Sequence, residues 1–268
     1  MTRLVFILSI FVALFHAPAM SHPGASSAID HYNHEIERQP RDQSLYIRRG
    51  IAYSSDGQYD KALADFKQAE QLGPTIMVGF DLGVLYYRRG ELDLAKAQFD
   101  RYLGTFPDHA ACLEYRARLL RDMGDTKGSV TDFQRVFELQ QRPNPGHYIS
   151  VADMLQANGP EGVIQALAIL DGGNAKLGVT PQLQKRAIRL ELQRGRPDLA
   201  IERLDALKPM LGHSPEWKVE MAELQLQSGE EEAASQLLKQ ATEQLDSLRK
   251  TPARQALRER VALIEKRS

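Results

Sequence analysis

The sequence predicts an all-α protein built as a solenoid of about six helix-turn-helix repeats. Two observations carry that prediction. Gly57, Gly90, Gly124, Gly159, Gly195 and Gly229 are spaced by 33 to 36 residues, and the same small, aromatic and apolar residues return around them. Gly50, Gly57, Ala62, Phe66 and Pro74 are matched 33 residues on by Gly83, Gly90, Ala95, Phe99 and Pro107. A fixed period is what stacked copies of one helical hairpin require, since each copy buries its apolar face only against its neighbours. Such a chain reads as a surface for partners before it reads as a catalyst.

The chain opens on a secretory signal. Met1 to Arg3 is a short positive head, Leu4 to Phe15 is apolar apart from Ser9, and Ala17-Pro18-Ala19 supplies small residues for cleavage after Ala19 or Ser21. The apolar run is shorter than the roughly 20 residues a membrane span needs, so an uncleaved anchor is the secondary reading. Residues 22–27 are expected to be a flexible segment. The only cysteine, Cys112, permits no intramolecular disulfide and offers no lipid-accepting thiol near the cleavage site. The signal implies a periplasmic or secreted location, and an exported chain that uses no disulfides fits a bacterial periplasm better than a eukaryotic secretory route, where small folds are commonly stapled.

The first repeat sets the local logic. Leu45, Arg49, Ala52 and Tyr53 share one helical stripe, Gly57 supplies the turn, and Ala62, Phe66 and Ala69 return on the second helix. Small residues let the helices approach and the aromatic fills the gap, while Pro74 and Pro107 stop the second helices. Helices this short depend on stacking against neighbours. The third copy continues with Ala117, Gly124, Ser129, Phe133 and Val136. The fourth, around Gly159, offers Ile164, Ala168 and Asp171; the fifth has Gly195, Ala200, Leu204 and Leu207; the sixth has Ala222, Gly229, Ala234, Leu238 and Ala241. Gly159-Pro160 and Gly172-Gly173 predict an irregularity in the middle of the array. Thr251-Pro252 then starts a helix whose stripe of Ala253, Leu257, Val261 and Ile264 suits a cap over the last repeat, residues 250–268.

Tyr46, Gly50, Tyr53, Gly57, Tyr59, Ala62, Phe66, Ala69 and Pro74 together resemble a tetratricopeptide repeat. The resemblance extends over residues 28–249 and implies a right-handed superhelix. Its repeats would span about 43–75, 76–109, 110–144, 145–180, 181–214 and 215–249, with Ala28 to Pro40 as an N-terminal half repeat. It also implies a concave groove lined by the first helix of each repeat. Carried over, the groove positions are Ile47 and Ile51 with Ser44, Ser54 and Ser55, then Phe80, Val84, Tyr87 and Arg88 with Met77. The third repeat offers Glu114, Arg118 and Arg121 with Ala111 and Asp122, and the fifth Lys185 and Arg189. Aromatic positions beside arginines would hold an extended peptide or partner helix by apolar anchors and bidentate carboxylate pairing. The alternative is that these residues are helix surface and packing. Ile47 and Ile51 stand where the family's chaperone-binding branch uses a lysine and asparagine clamp, which disfavours that partner class.

A metal-binding or metal-trafficking protein is the alternative function. His22, His31 and His34 cluster near the mature N-terminus, and the spacing of His31 and His34 puts both rings on one helical face. Solvated histidines at a frayed end are the competing explanation. His-x-x-His-Glu is not the order of a zinc protease motif. No nucleophile elbow, phosphate-binding glycine loop or paired Cys-x-x-Cys is present, so neither an enzyme nor a cofactor is expected. The formal charge is −1, or −2 once Arg3 leaves with the signal, and gives no overall attraction to nucleic acid or anionic membranes. The expected partner is a protein or peptide.

Overall fold

The computed structural model describes residues 23–266, which contain helices and no strand. The signal segment and His22 lie outside the described residues. Two compact units divide the chain, one ending at Pro107 and the other starting at Asp108. The first holds α1 (Pro23–Arg38), α2 (Gln43–Ser55), α3 (Tyr59–Leu72), α4 (Ile76–Arg88) and α5 (Leu92–Thr105). The second holds α6 (Ala110–Asp122), α7 (Thr126–Leu139), α8 (Pro145–Gln156), α9 (Gly159–Leu177), α10 (Pro181–Gln193), α11 (Pro197–Asp205), α12 (Lys208–Leu211), α13 (Pro215–Gln227), α14 (Glu231–Ser247) and α15 (Pro252–Glu265).

The repeating turn has a specific backbone cause. Gly57 and Gly90 sit at φ 75° and 76°, where a side chain is strained, and the other four turn glycines share that sign. The N–H after each of these two glycines reaches back five residues, Gln58 to the Tyr53 carbonyl and Glu91 to that of Tyr86, both at 2.9 Å. This closes the first helix and satisfies carbonyls that would otherwise be orphaned. The second helix then returns with its small-and-aromatic stripe inward. Phe66 and Phe99 are fully buried, and a Cβ added at Gly50 or Gly83 would lie 2.6 Å or 2.4 Å from the facing ring. The glycines are there because the rings occupy the space.

Charge also crosses the helix pairs. Arg49 on α2 donates twice to Asp65 on α3, Nε to Oδ2 at 2.8 Å and Nη2 to Oδ1 at 2.6 Å, and its Nη1 reaches Asn33 of α1 at 2.9 Å. Arg49 therefore joins three helices. Arg116 and Asp132 repeat the bidentate pair across α6 and α7, again 16 residues apart. The second copy has Leu82 and Gln98 at these positions.

Three expectations are corrected. α1 begins at Pro23, so residues 23–27 are helical instead of an irregular segment; proline fits the first helical position and the following residues are compatible with a helix. In the fourth copy the inward stripe is Val163, Leu167 and Leu170, while Ile164 is 48% exposed and Ala168 and Asp171 face out. The second helix starts at Gly159 itself, whereas in the first copy it starts two residues after the glycine. The buried face consequently comes one residue earlier, a rotation of about 100°. The Gly172-Gly173 pair does not interrupt α9; a Cβ at Gly173 would meet Leu183 at 2.7 Å and the Tyr148 ring at 3.0 Å, so this glycine permits close packing.

The irregularity falls instead in the fifth copy, where the second helix splits into α11 and α12. Pro209 lacks an N–H, and its ring obstructs the carbonyl four residues back. The Leu204 carbonyl meanwhile accepts the Trp217 indole N–H at 3.0 Å. At the C-terminal end, Thr251 caps α15 by accepting from the Arg254 N–H at 3.3 Å, and Leu257 and Val261 are buried with α13 and α14 residues.

Candidate partner-binding face

In the unit carrying α1 to α5, most of the expected groove residues are engaged in packing. Ile47 lies against the core of Phe66, Val78 and Leu82. Phe80 is half-buried between Phe99 and Tyr102, with ring centroids at 6.3 Å and 5.9 Å, so it fills a seam between α4 and α5. Val84 and Tyr87 are half-buried, Ile51 is 41% exposed, and Arg88 donates to the Ser54 hydroxyl at 3.3 Å. Sequence reasoning passed over Asp81, on the same turn of α4 as Phe80 and Val84. Its carboxyl has no hydrogen-bond or ionic partner among the described residues, and burial alone pushes its pKa up to about 6. A desolvated carboxylate with no cation beside it is destabilising at neutral pH.

In the unit carrying α6 to α15, Glu114 and Arg118 pair on one face of α6, and the buried His147 of α8 stands 3.5 Å from Glu114 and 3.3 Å from Arg118. Burial holds the His147 imidazole below its ordinary value; Glu114 opposes this and Arg118 adds to it. Arg121 is tied to Asp122 at 3.0 Å and reaches the Ser150 hydroxyl at 3.4 Å beside a shallow hollow over α8. Arg118 and Arg121 thus serve local ion pairs, and they belong to a different unit from Phe80, Val84 and Tyr87.

Lys185 and Arg189 have a different setting. With the first helices of successive hairpins they line a cavity of about 510 Å³. Its floor is aliphatic: Ile149 of α8, Ile188 and Leu192 of α10, Leu204 of α11 and Leu224 of α13. Its rim is charged and paired. Lys185 pairs with Glu220 of α13 at 3.4 Å, and Arg260 of α15 grips Glu223 with two guanidinium nitrogens, Nε to Oε1 at 2.7 Å and Nη2 to Oε2. Behind the floor, Arg203 of α11 joins Asp171 and the buried Glu191, which fixes α9, α10 and α11 together. The C-terminal helix, expected only to shield the last repeat, therefore contributes a wall through Arg260. Ile188 escaped the sequence reading because an aliphatic residue facing another helix looks like core, and Leu204 was read only as the inward residue of the fifth copy, which it is, at 1% exposure. Their departure from the Gly-and-Phe pairing of the first two copies was the available signal.

The histidines do not assemble a metal centre among the described residues. The His31 ring lies tilted against Tyr32 with centroids 5.3 Å apart, His34 lies 3.9 Å from Glu37, and no group of three or more potential ligands is found there. No described helix is long and apolar enough to cross a membrane.

Residues 43–76 and 80–144 match the family description "Tetratricopeptide repeat". Photosystem I assembly protein Ycf3 of Synechococcus sp. (strain WH7803) is 26% identical over 145 residues, which cover 48% of this chain and 82% of that protein. The C-terminal part of a TPR repeat-containing protein from Cytophaga hutchinsonii superposes with a TM-score of 0.63 at 12% identity, covering 81% of this chain and 88% of that one. YrrB, described as a TPR protein with an unusual peptide-binding site, gives 0.53 at 18% identity over 69% of this chain and 95% of its own. The chain spans 45% of the solved chain of yeast Tom70. At these identities the structural likenesses show the fold.

Proposed function

We propose that this tetratricopeptide-repeat protein is a non-enzymatic interaction scaffold, exported to the cell envelope, that holds an extended segment of a partner protein over the α8, α10, α13 and α15 face. The observation that carries the reading is the cavity of about 510 Å³ with an aliphatic floor and a charged rim. Its size is that of a ligand site, and it lies where successive first helices face one another, so a chain laid across it meets several repeats at once. The interaction class is shared with the Ycf3 relative, whose name makes it an assembly protein. The reading of Met1 to Ser21 as a secretory signal supports export.

A photo-crosslinking residue placed at Gln182, on the cavity rim, should yield a discrete partner adduct in the native envelope. The same residue at Lys239, exposed on α14, should not. Equal labelling from both positions would remove the assignment of this face. N-terminal sequencing of the exported protein should begin at Met20 or His22; a chain that still begins at Met1 would contradict signal cleavage.

A further inference from the structure

The charges around the cavity are not balanced, and the imbalance has a single location. Lys185 is matched by Glu220 and Arg260 by Glu223. Arg189, on the same stripe of α10 one turn after Lys185, is exposed and has no ionic or hydrogen-bond partner among the described residues. The guanidinium lies beside the aliphatic floor, where a partner carboxylate would be partly desolvated and its bidentate pairing strengthened. Two carboxamides on the same lining, Gln182 in the first turn of α10 and Gln227 at the last residue of α13, are likewise without hydrogen-bond partners among the described residues. A primary amide offers one acceptor and two donors, the complement of a peptide group.

Resting on the reading above, we propose that the cavity takes an internal stretch of a partner chain in which an acidic residue neighbours an aliphatic one. The side-chain carboxylate lies on Arg189, the aliphatic side chain on Ile188, Leu192 and Leu224, and the flanking backbone on Gln182 and Gln227. Gln182 stands in the first turn of α10 and Gln227 at the last residue of α13, so backbone on both sides of the carboxylate has an amide to meet, which makes the carboxylate a side chain and not a chain end. The volume accommodates a few side chains and no globular surface.

The test is a selection from displayed random 12-residue peptides with both ends joined to carrier sequence, using the intact mature protein. The wild type should enrich Asp or Glu next to Leu, Ile or Val. An enriched peptide made synthetically with an amidated C-terminus should bind at least tenfold more weakly to Arg189→Gln. Arg189→Glu should shift the selection toward Lys or Arg, and a charge-swapped peptide should restore its binding. Arg189 is exposed, and an unchanged melting curve checks that both variants are folded. Selection without acidic bias, or an Arg189→Glu protein that keeps the acidic choice, overturns the charge assignment and leaves the groove reading standing. The same peptide made as the free acid should bind no more tightly than the amide; binding by the free acid alone overturns the internal segment. A folded wild type that enriches no peptide sequence removes both this inference and the reading it rests on.

Discussion

The helix pair α2/α3 and the pair α10/α11 occupy equivalent places in their repeats and solve the same packing problem differently. In α2/α3 the residue seven before the turn glycine is Gly50 and the residue nine after it is Phe66, whose ring closes the seam. In α10/α11 the same two positions, counted from Gly195, are Ile188 and Leu204, and both line the open cavity. In the first pair a ring lies against bare backbone; in the second, Leu204 is buried with Trp217 and Leu224, Ile188 packs against that cluster half-buried, and the aliphatic surface they make lines the cavity. Copies that follow the repeat pattern most closely bury their distinctive residues. The cavity lies where the pattern is relaxed, so in this chain the regular copies close their seams and the proposed site falls on a copy that departs from them.

The largest test of that contrast concerns what holds a regular copy together. Arg49→Leu leaves Asp65 buried without its cation and should lower stability by about 3–5 kcal/mol in denaturant unfolding. Adding Asp65→Gln reproduces Leu82 and Gln98 of the second copy and should recover most of the loss. A double variant as unstable as the single one would show that the first copy needs its ion pair for more than charge compensation.

Asp81 comes next. Its folded pKa, about 6, exceeds the ordinary 3.8, so the neutral form is favoured by folding. Its stabilising contribution is complete below the ordinary value and is lost as pH rises through the folded one. Asp81→Asn should therefore raise stability at pH 7.5 by on the order of 2 kcal/mol, with the gain vanishing on acidification towards the ordinary value. A gain that persists in acid would assign the effect to packing.

Installing the regular pair in the irregular copy, Ile188→Gly with Leu204→Phe, should place a ring across the cavity floor. Peptide binding should fall at least tenfold, about 1.4 kcal/mol, with a stability loss of roughly 1 kcal/mol from glycine within α10. Undiminished binding would mean that this pair does not set the cavity. The smallest effect belongs to His147. Its folded value is depressed by burial, so its stabilising contribution is present above the ordinary 6.5 and lost as pH falls through the folded value. His147→Gln should flatten that acid limb in thermal melts followed across pH, and an unchanged slope would exclude the imidazole as its source.

The turns and the inward stripes were legible because each has a local cause: Gly57 needs a left-handed backbone and Phe66 needs Gly50. The fourth copy was misplaced because its periodicity was counted from a glycine, and a shorter turn rotates the whole face without altering the pattern's period. Arg49 could be placed on a face but its partner could not, since Asp65 lies on another helix. Lys185 and Arg189 were found from their places in the repeat. Leu204 was placed in the fifth copy but not at a cavity, and Ile188 was not placed at all, because a cavity is a property of facing side-chain shapes that no single stripe contains. The division of α11 from α12 had a local signal in Pro209 that the repeat count did not use.

The contact between Trp217 and the Leu204 carbonyl gives the molecule an intrinsic optical probe. Trp217 is the chain's only tryptophan, it is buried, and its indole donates to the backbone of a residue whose side chain lines the cavity. A ligand that displaces water from the floor or shifts Leu204 alters the environment of that one fluorophore. Occupancy of the proposed site should therefore register in emission from the unlabelled protein, without an added dye on that face.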